Sequence, residues 1–125
     1  GLWLERNVFE RLDAALQWYE RSPKLPVAFL AGKVEHLPRG RAYLADQLQR
    51  AGTSVSLNIA EGAGEYSGSE KGRFYRMAKR SATECAGIFE ICDRLELIAE
   101  SRYLKARELL VRIVSMLTKM AQISN

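Results

Sequence analysis

Ala106, Leu109, Leu110, Ile113, Met116, Leu117 and Met120 recur at intervals of three and four, which draws one apolar stripe down a helix near the C-terminal end. Ser101 stands in front of that stripe as its expected N-cap. A second stripe, Phe74, Ala78, Ser81, Cys85, Ile88, Cys92 and Leu95, predicts another helix. Ser67-Gly68-Ser69-Glu70 reads as the capping box that opens it. A third helix is expected from about Arg41 to Glu61, with Leu44, Leu48, Ala51, Val55 and Ile59 inward. Gly62, Gly64 and Gly68 then form a loose connection. Phe9, Leu12, Leu16 and Tyr19 suggest a helix over about Arg6 to Arg21. Pro23 and Pro26 interrupt it, because each proline removes a backbone donor and crowds the preceding turn. A piece from Pro23 to His36, capped by Ser22, turns Val27, Leu30, Ala31 and Val34 inward before Pro38-Arg39-Gly40 ends it. One kinked helix and two short ones both fit. No segment alternates like a half-buried strand for more than a few residues, and short connections between long helices favour antiparallel neighbours. The expected fold is all-α, an antiparallel up-down four-helix bundle with an irregular or kinked N-terminal helix.

The chain has 125 residues, 47% of them apolar and 27% charged, which suits one domain spanning 1–125 with a real core. No apolar run approaches the roughly 20 residues of a membrane span, and the first residues lack a basic leader with a cleavage pattern. Cys85 and Cys92 lie about two helical turns apart on one side, too far for a disulfide. Two unpaired thiols suit a reducing cytoplasm. The net charge of +4 is modest but segregated. Between Glu70 and Glu84 stand Lys71, Arg73, Arg76, Lys79 and Arg80 against two acids, a local +3. From Ser101 onward Arg102, Lys105, Arg107, Arg112 and Lys119 oppose Glu108 alone, a local +4, so the remainder sums to −3.

Polar residues on the inward side are the next feature. Asn58 lies about 40° from Leu44 around its helix, and Ser81 and Glu84 sit at the edge of the next helix's apolar face. A buried amide without a partner costs roughly 1–3 kcal/mol. A satisfied polar cluster that sets helix register is therefore the plainer reading, ahead of a ligand site.

Those residues also carry a resemblance. Asp46-Gln47-Leu48-Gln49-Arg50-Ala51, then Ser54-Val55, then Asn58-Ile59-Ala60-Glu61-Gly62 is similar to the signature of the bacterial four-helix bundle protein family. Its founding members are encoded in intervening sequences of large-subunit ribosomal RNA genes. Phe74, Ala78, Ser81 and Glu84 downstream, and Leu37-Pro38-Arg39-Gly40-Arg41 with Tyr43-Leu44-Ala45 upstream, continue the match over about Val27 to Met120. The proline break at Ser22-Pro23-Lys24-Leu25-Pro26 departs from the family's unbroken first helix. The resemblance implies a four-helix bundle that assembles as a homo-oligomer, a five-fold ring in relatives, with nucleic-acid binding suspected. A distant branch serves as accessory subunit to the reverse transcriptases of diversity-generating retroelements. The fold follows from such a resemblance more firmly than the task.

Enzyme chemistry finds little support. The single histidine, His36, stands beside an expected turn, and HExxH and CxxC patterns are absent, so no metal and no cofactor are expected. The glycines from Glu61 to Gly68 lack the Gly-Lys-Ser/Thr ending of a phosphate cradle. Both cysteines face inward as inert thiols, and Met77, Met116 and Met120 are expected as core gap-fillers. The basic faces offer more. At the helical period Arg73, Arg76 and Arg80 fall within about 60° of one another, with Lys79 at their margin, opposite the apolar stripe. A solvated exterior explains such a face; so does phosphate binding by guanidinium groups, with Tyr66 and Tyr75 available to stack on bases. The candidate nucleic-acid-binding residues are Arg73, Arg76, Lys79 and Arg80, then Arg107 and Arg112. Asn58, Glu61, Gly62, Ser81 and Glu84 are the candidate structural polar set. The leading expectation is a non-catalytic oligomeric bundle that binds RNA or single-stranded DNA. The alternative is a protein-interaction subunit, for example of a reverse transcriptase.

Overall fold

A computed structural model describes residues 42–124. They form three α-helices, α1 (Ala42–Ala63), α2 (Gly68–Arg94) and α3 (Glu100–Ile123), with no strand among them. The expected helices before Arg41, the break at Pro23 and Pro26, and His36 lie outside the described residues.

Pairing along the helices is antiparallel. Ser54 of α1 meets Ser81 of α2, and eight residues further along α1 Gly62 meets Tyr75, six residues earlier in α2. On the other side of α2, Glu90 and Arg107 border one crevice, while Gly68 abuts the carbonyl of Ser124. Connections of four and five residues allow only neighbouring helices. The outer helices α1 and α3 both pack on α2 and hardly touch each other.

The core follows the stripes closely. Leu44, Leu48, Ala51, Val55 and Ile59 of α1 are buried, as are all seven expected positions of α3. In α2 the buried line runs through Gly72, Tyr75, Ala78, Ala82, Cys85, Ile88, Phe89 and Cys92. Tyr75 rather than Phe74 is therefore buried, and Leu95 is exposed. Leu95 follows the last helical residue and serves as C-cap, so the helical period no longer places it. Met77 is also 39% exposed and fills no gap in the core.

Helix ends depart from expectation in instructive ways. The Glu70 N–H donates to Ser67 Oγ at 3.4 Å, which is half of a capping box. The Glu70 carboxylate turns instead to Arg73. Helix α2 ends in a Schellman arrangement: the Leu97 N–H donates to Cys92 O at 2.8 Å and the Glu96 N–H to Asp93 O at 3.0 Å. Glu96 takes φ 56° there, a conformation that costs a residue with a Cβ about 1 kcal/mol. Helix α3 starts at N-cap Ala99, which makes no side-chain capping bond, so Ser101 lies in the first turn instead of capping it. Gly62 belongs to α1 and is buried; it is not part of the loop. A Cβ at Gly62 would come within 2.6 Å of the Tyr75 ring, so the glycine lets α1 and α2 approach.

Candidate nucleic-acid interface

Arg73, Arg76 and Arg80 project from the exposed side of α2, while Lys79 is half-buried at its margin. Arg73 is engaged: Nη2 lies 2.9 Å from Glu70 Oε2, and the guanidinium sits 4.4 Å from the Phe74 ring centre. That pairing holds the Glu70 carboxyl below the usual carboxylate range and raises Arg73. Both groups are at the surface, where such a pair adds little stability. Lys71 is engaged too. Its Nζ donates to the carbonyls of Gly62 at 3.1 Å and Ala63 at 3.2 Å, which sets a cation against the negative end of α1. Of the expected basic cluster, Arg76, Lys79 and Arg80 have no carboxylate within ion-pairing distance among the described residues. Arg76 and Arg80 stand one turn apart on a single stripe.

The α3 arginines do not extend this stripe. Arg107 and Arg112 are five positions apart, about 140° around the helix, so they face different directions. Arg107 borders a crevice of about 170 Å³ with Phe89, Glu90 and Tyr103, between α2 and α3. Arg112 is already engaged within the chain. Of the two candidate stacking tyrosines, Tyr66 is fully exposed in the loop and Tyr75 is buried, where loss of solvation raises its pKa. Tyr75 is thereby removed from any base-stacking role.

Of the polar set, Asn58 and Ser81 are joined through a residue missed as a site. Ser81 Oγ donates to Ser54 Oγ at 2.8 Å across the α1–α2 seam. Asn58 Nδ2 donates to the same oxygen at 3.0 Å and to Ser54 O at 2.8 Å. Ser54 is thus the hub that joins Asn58 to Ser81. The signal was its spacing, four residues before Asn58 on one helix face. Glu61 and Glu84 are exposed and take no part in this network. They rim a groove instead. About 720 Å³ is lined by residues that include Asp46, Arg50, Ser54, Asn58 and Glu61, and an adjoining 330 Å³ by Arg50, Ser54, Ser81 and Glu84 among others. Arg50 and Ser54 border both parts.

The two thiols are buried, and desolvation pushes Cys85 up to about 12, with the Glu84 charge adding to it. Cys92 is raised by burial as well. Neutral thiols of this kind are poor nucleophiles. Among the described residues no three His, Cys, Asp or Glu side chains group closely enough to hold a metal, and no helix is long and apolar enough to cross a membrane.

No curated protein and no solved structure matches the chain. A family model does, over residues 15–119, which spans the α1 motif, the Ser54–Ser81 seam and nearly all of α3. The chain belongs to the 23S rRNA-intervening sequence protein family.

Proposed function

We propose that this chain is a non-catalytic helical subunit that completes a four-helix bundle with its N-terminal segment, assembles into a homo-oligomeric ring of five copies, and binds RNA or single-stranded DNA. Arg76 and Arg80 make the main phosphate contacts, with Lys79 and Arg73 at the edges of the same face. The observation that carries this reading is the exposure of Arg76 and Arg80 one turn apart with no acid paired to them among the described residues. Guanidinium groups left unneutralised on a helix face suit phosphate oxygens. Arg107 and Arg112 contribute less, since they face apart and Arg112 is engaged. Three or four cations per subunit make a weak site alone. Repetition around a ring raises avidity by about 10²–10⁴.

Anisotropy of a fluorescein-labelled single-stranded RNA, titrated from low to moderate salt, tests this reading. The logarithm of the affinity should fall against the logarithm of salt with a slope of about −0.7 for each phosphate contacted. A flat dependence contradicts it.

A second reading, docking on a protein partner such as a reverse transcriptase, draws support from the groove along α1. Residues of the family signature line it, and Asp46, Glu61 and Glu84 stand around it with Arg50 as the only base. Co-purification of one protein free of nucleic acid would favour that reading.

A further inference from the structure

The crevice between α2 and α3 has an apolar floor and a polar mouth. Phe89 and Leu110 form the floor, each 2% exposed, with Ala86 half-buried beside them. Tyr103 makes a half-buried wall. Glu90 and Arg107 stand exposed at the mouth, and among the described residues they are the only charged side chains that line it. Helix seams normally pack closely, and the small side chain of Ala86 is what leaves this room.

Size and chemistry narrow the occupant. Pockets for drug-sized ligands run from about 300 to 1,000 Å³. About 170 Å³ takes a single ring. That ring should lie flat against Tyr103, offer an N–H at one edge to Glu90, and bring an anion within reach of Arg107. An unpaired base of a nucleic-acid strand meets all three requirements.

Glu90 is suited to reading such a base. Arg94 Nη2 donates to Glu90 Oε1 at 2.8 Å. This pairing offsets the carboxylate charge that would repel an anionic strand, and it leaves Oε2 as an acceptor. A carboxylate accepts and cannot donate, so it favours a base with an amino group, such as cytosine with its N4. Uracil has the same size but presents a carbonyl oxygen at that place.

The crevice also lies in line with the basic face. Lys79, Thr83, Ala86 and Glu90 follow one another along α2 at spacings of three and four. Glu90 lies about 16 Å beyond Lys79 and about 20° round from it. The only acid between them, Glu84, is about 140° round from Lys79. A strand with phosphates on Arg76, Lys79 and Arg80 therefore reaches the crevice within a few nucleotides.

We propose that the α2–α3 crevice receives one unpaired, amino-bearing base of a bound single strand, cytosine being the smallest such base. Tyr103 stacks on the ring, Glu90 accepts from the amino group, and Arg107 meets the adjoining phosphate. This site rests on the nucleic-acid reading under Proposed function and adds base selection to it, since Arg76 and Arg80 contact phosphate alone.

Anisotropy with labelled oligocytidylate and oligouridylate of equal length tests it, because the two strands share charge and ring size. The unaltered protein should bind the cytidine strand at least about fivefold more tightly. Glu90→Gln, whose amide donates as well as accepts, should bring the two affinities to within about twofold. Arg76→Glu with Arg80→Glu should weaken both strands and keep their ratio. Absent or salt-independent binding of both strands overturns the nucleic-acid reading and this site together. Salt-dependent binding with no preference, or a preference that survives Glu90→Gln, overturns this site alone and leaves the crevice to an aromatic side chain of a protein partner.

A photochemical cross-link gives a second measure that needs no change in the protein. An oligonucleotide carrying iodocytidine, irradiated in the complex, should attach to Tyr103, as read by mass spectrometry of the peptides. Attachment confined to other residues, such as the exposed Tyr66, overturns the proposal.

Discussion

The two faces of α2 are built differently. Toward α3 the seam is mostly apolar: Ala86 and Phe89 meet Tyr103 and Leu110, with Glu90 and Arg107 at its edge. Toward α1 it holds the Ser54, Asn58 and Ser81 network and the contact of Gly62 with Tyr75. Apolar surfaces slide past one another at small cost. A network with three fixed partners, and a glycine that admits one ring, permit a single axial position. Apolar burial is thus shared by both sides of α2, whereas register is fixed on the α1 side.

Substitutions in the core and in the network should separate these roles. Ile113→Ala, at a fully buried position, should lower unfolding free energy by about 2–5 kcal/mol in urea, with near-UV circular dichroism of the remaining native protein unchanged. Alkaline pH should act through the buried core as well. The unfolded Cys85 thiol ionises near 9.0, whereas the folded one stays protonated to about 12. The folded state therefore binds more protons between those values, and this contribution to stability, complete below the lower pKa, is lost as pH rises. The loss should approach about 1.4 kcal/mol per pH unit in that window, read from urea midpoints, and Cys85→Ala should flatten it. Ser54→Ala should cost less, about 1 kcal/mol, because the seam is only half-buried. Its signature is a different one. Hydrogen exchange should quicken across Val55 to Ala63 while α3 stays protected. A loss as large as that of Ile113→Ala would make the polar network a main source of stability as well as of register.

The same contrast explains what is legible from residue spacing alone. The stripes of α3 and α1 are complete there, because long amphipathic helices with one buried side obey a single period. Phase fails where that period stops. Leu95 lies past the last helical residue, and Ser101 loses the cap position to Ala99 once the Schellman turn has fixed the loop length. Glycine usually interrupts helices, so spacing assigns Gly62 to the connection; only a tertiary neighbour, Tyr75, reveals why one stands inside α1. Arginine positions on α2 are legible as a face. Their pairing is not: Arg73 turns to Glu70, a choice of rotamer, while Lys71 caps α1, a contact across a loop. Asn58 and Ser81 are recognisable as partners in kind, but the hub between them, Ser54, emerges only when the helices are laid side by side.

On this one helix, the unpaired Arg76 and Arg80 should carry most of the nucleic-acid binding and the paired Arg94 little of it. Anisotropy of the labelled RNA should be compared for Arg76→Glu with Arg80→Glu and for Arg94→Glu, which sits on the same helix but pairs with Glu90 at 2.8 Å. The double variant should bind at least about tenfold more weakly, with a salt slope shallower by about 1.4, the loss of two phosphate contacts. Arg94→Glu should bind nearly as the unaltered protein does. Equal affinity and equal slope for the double variant and the unaltered protein would contradict the assignment of this face.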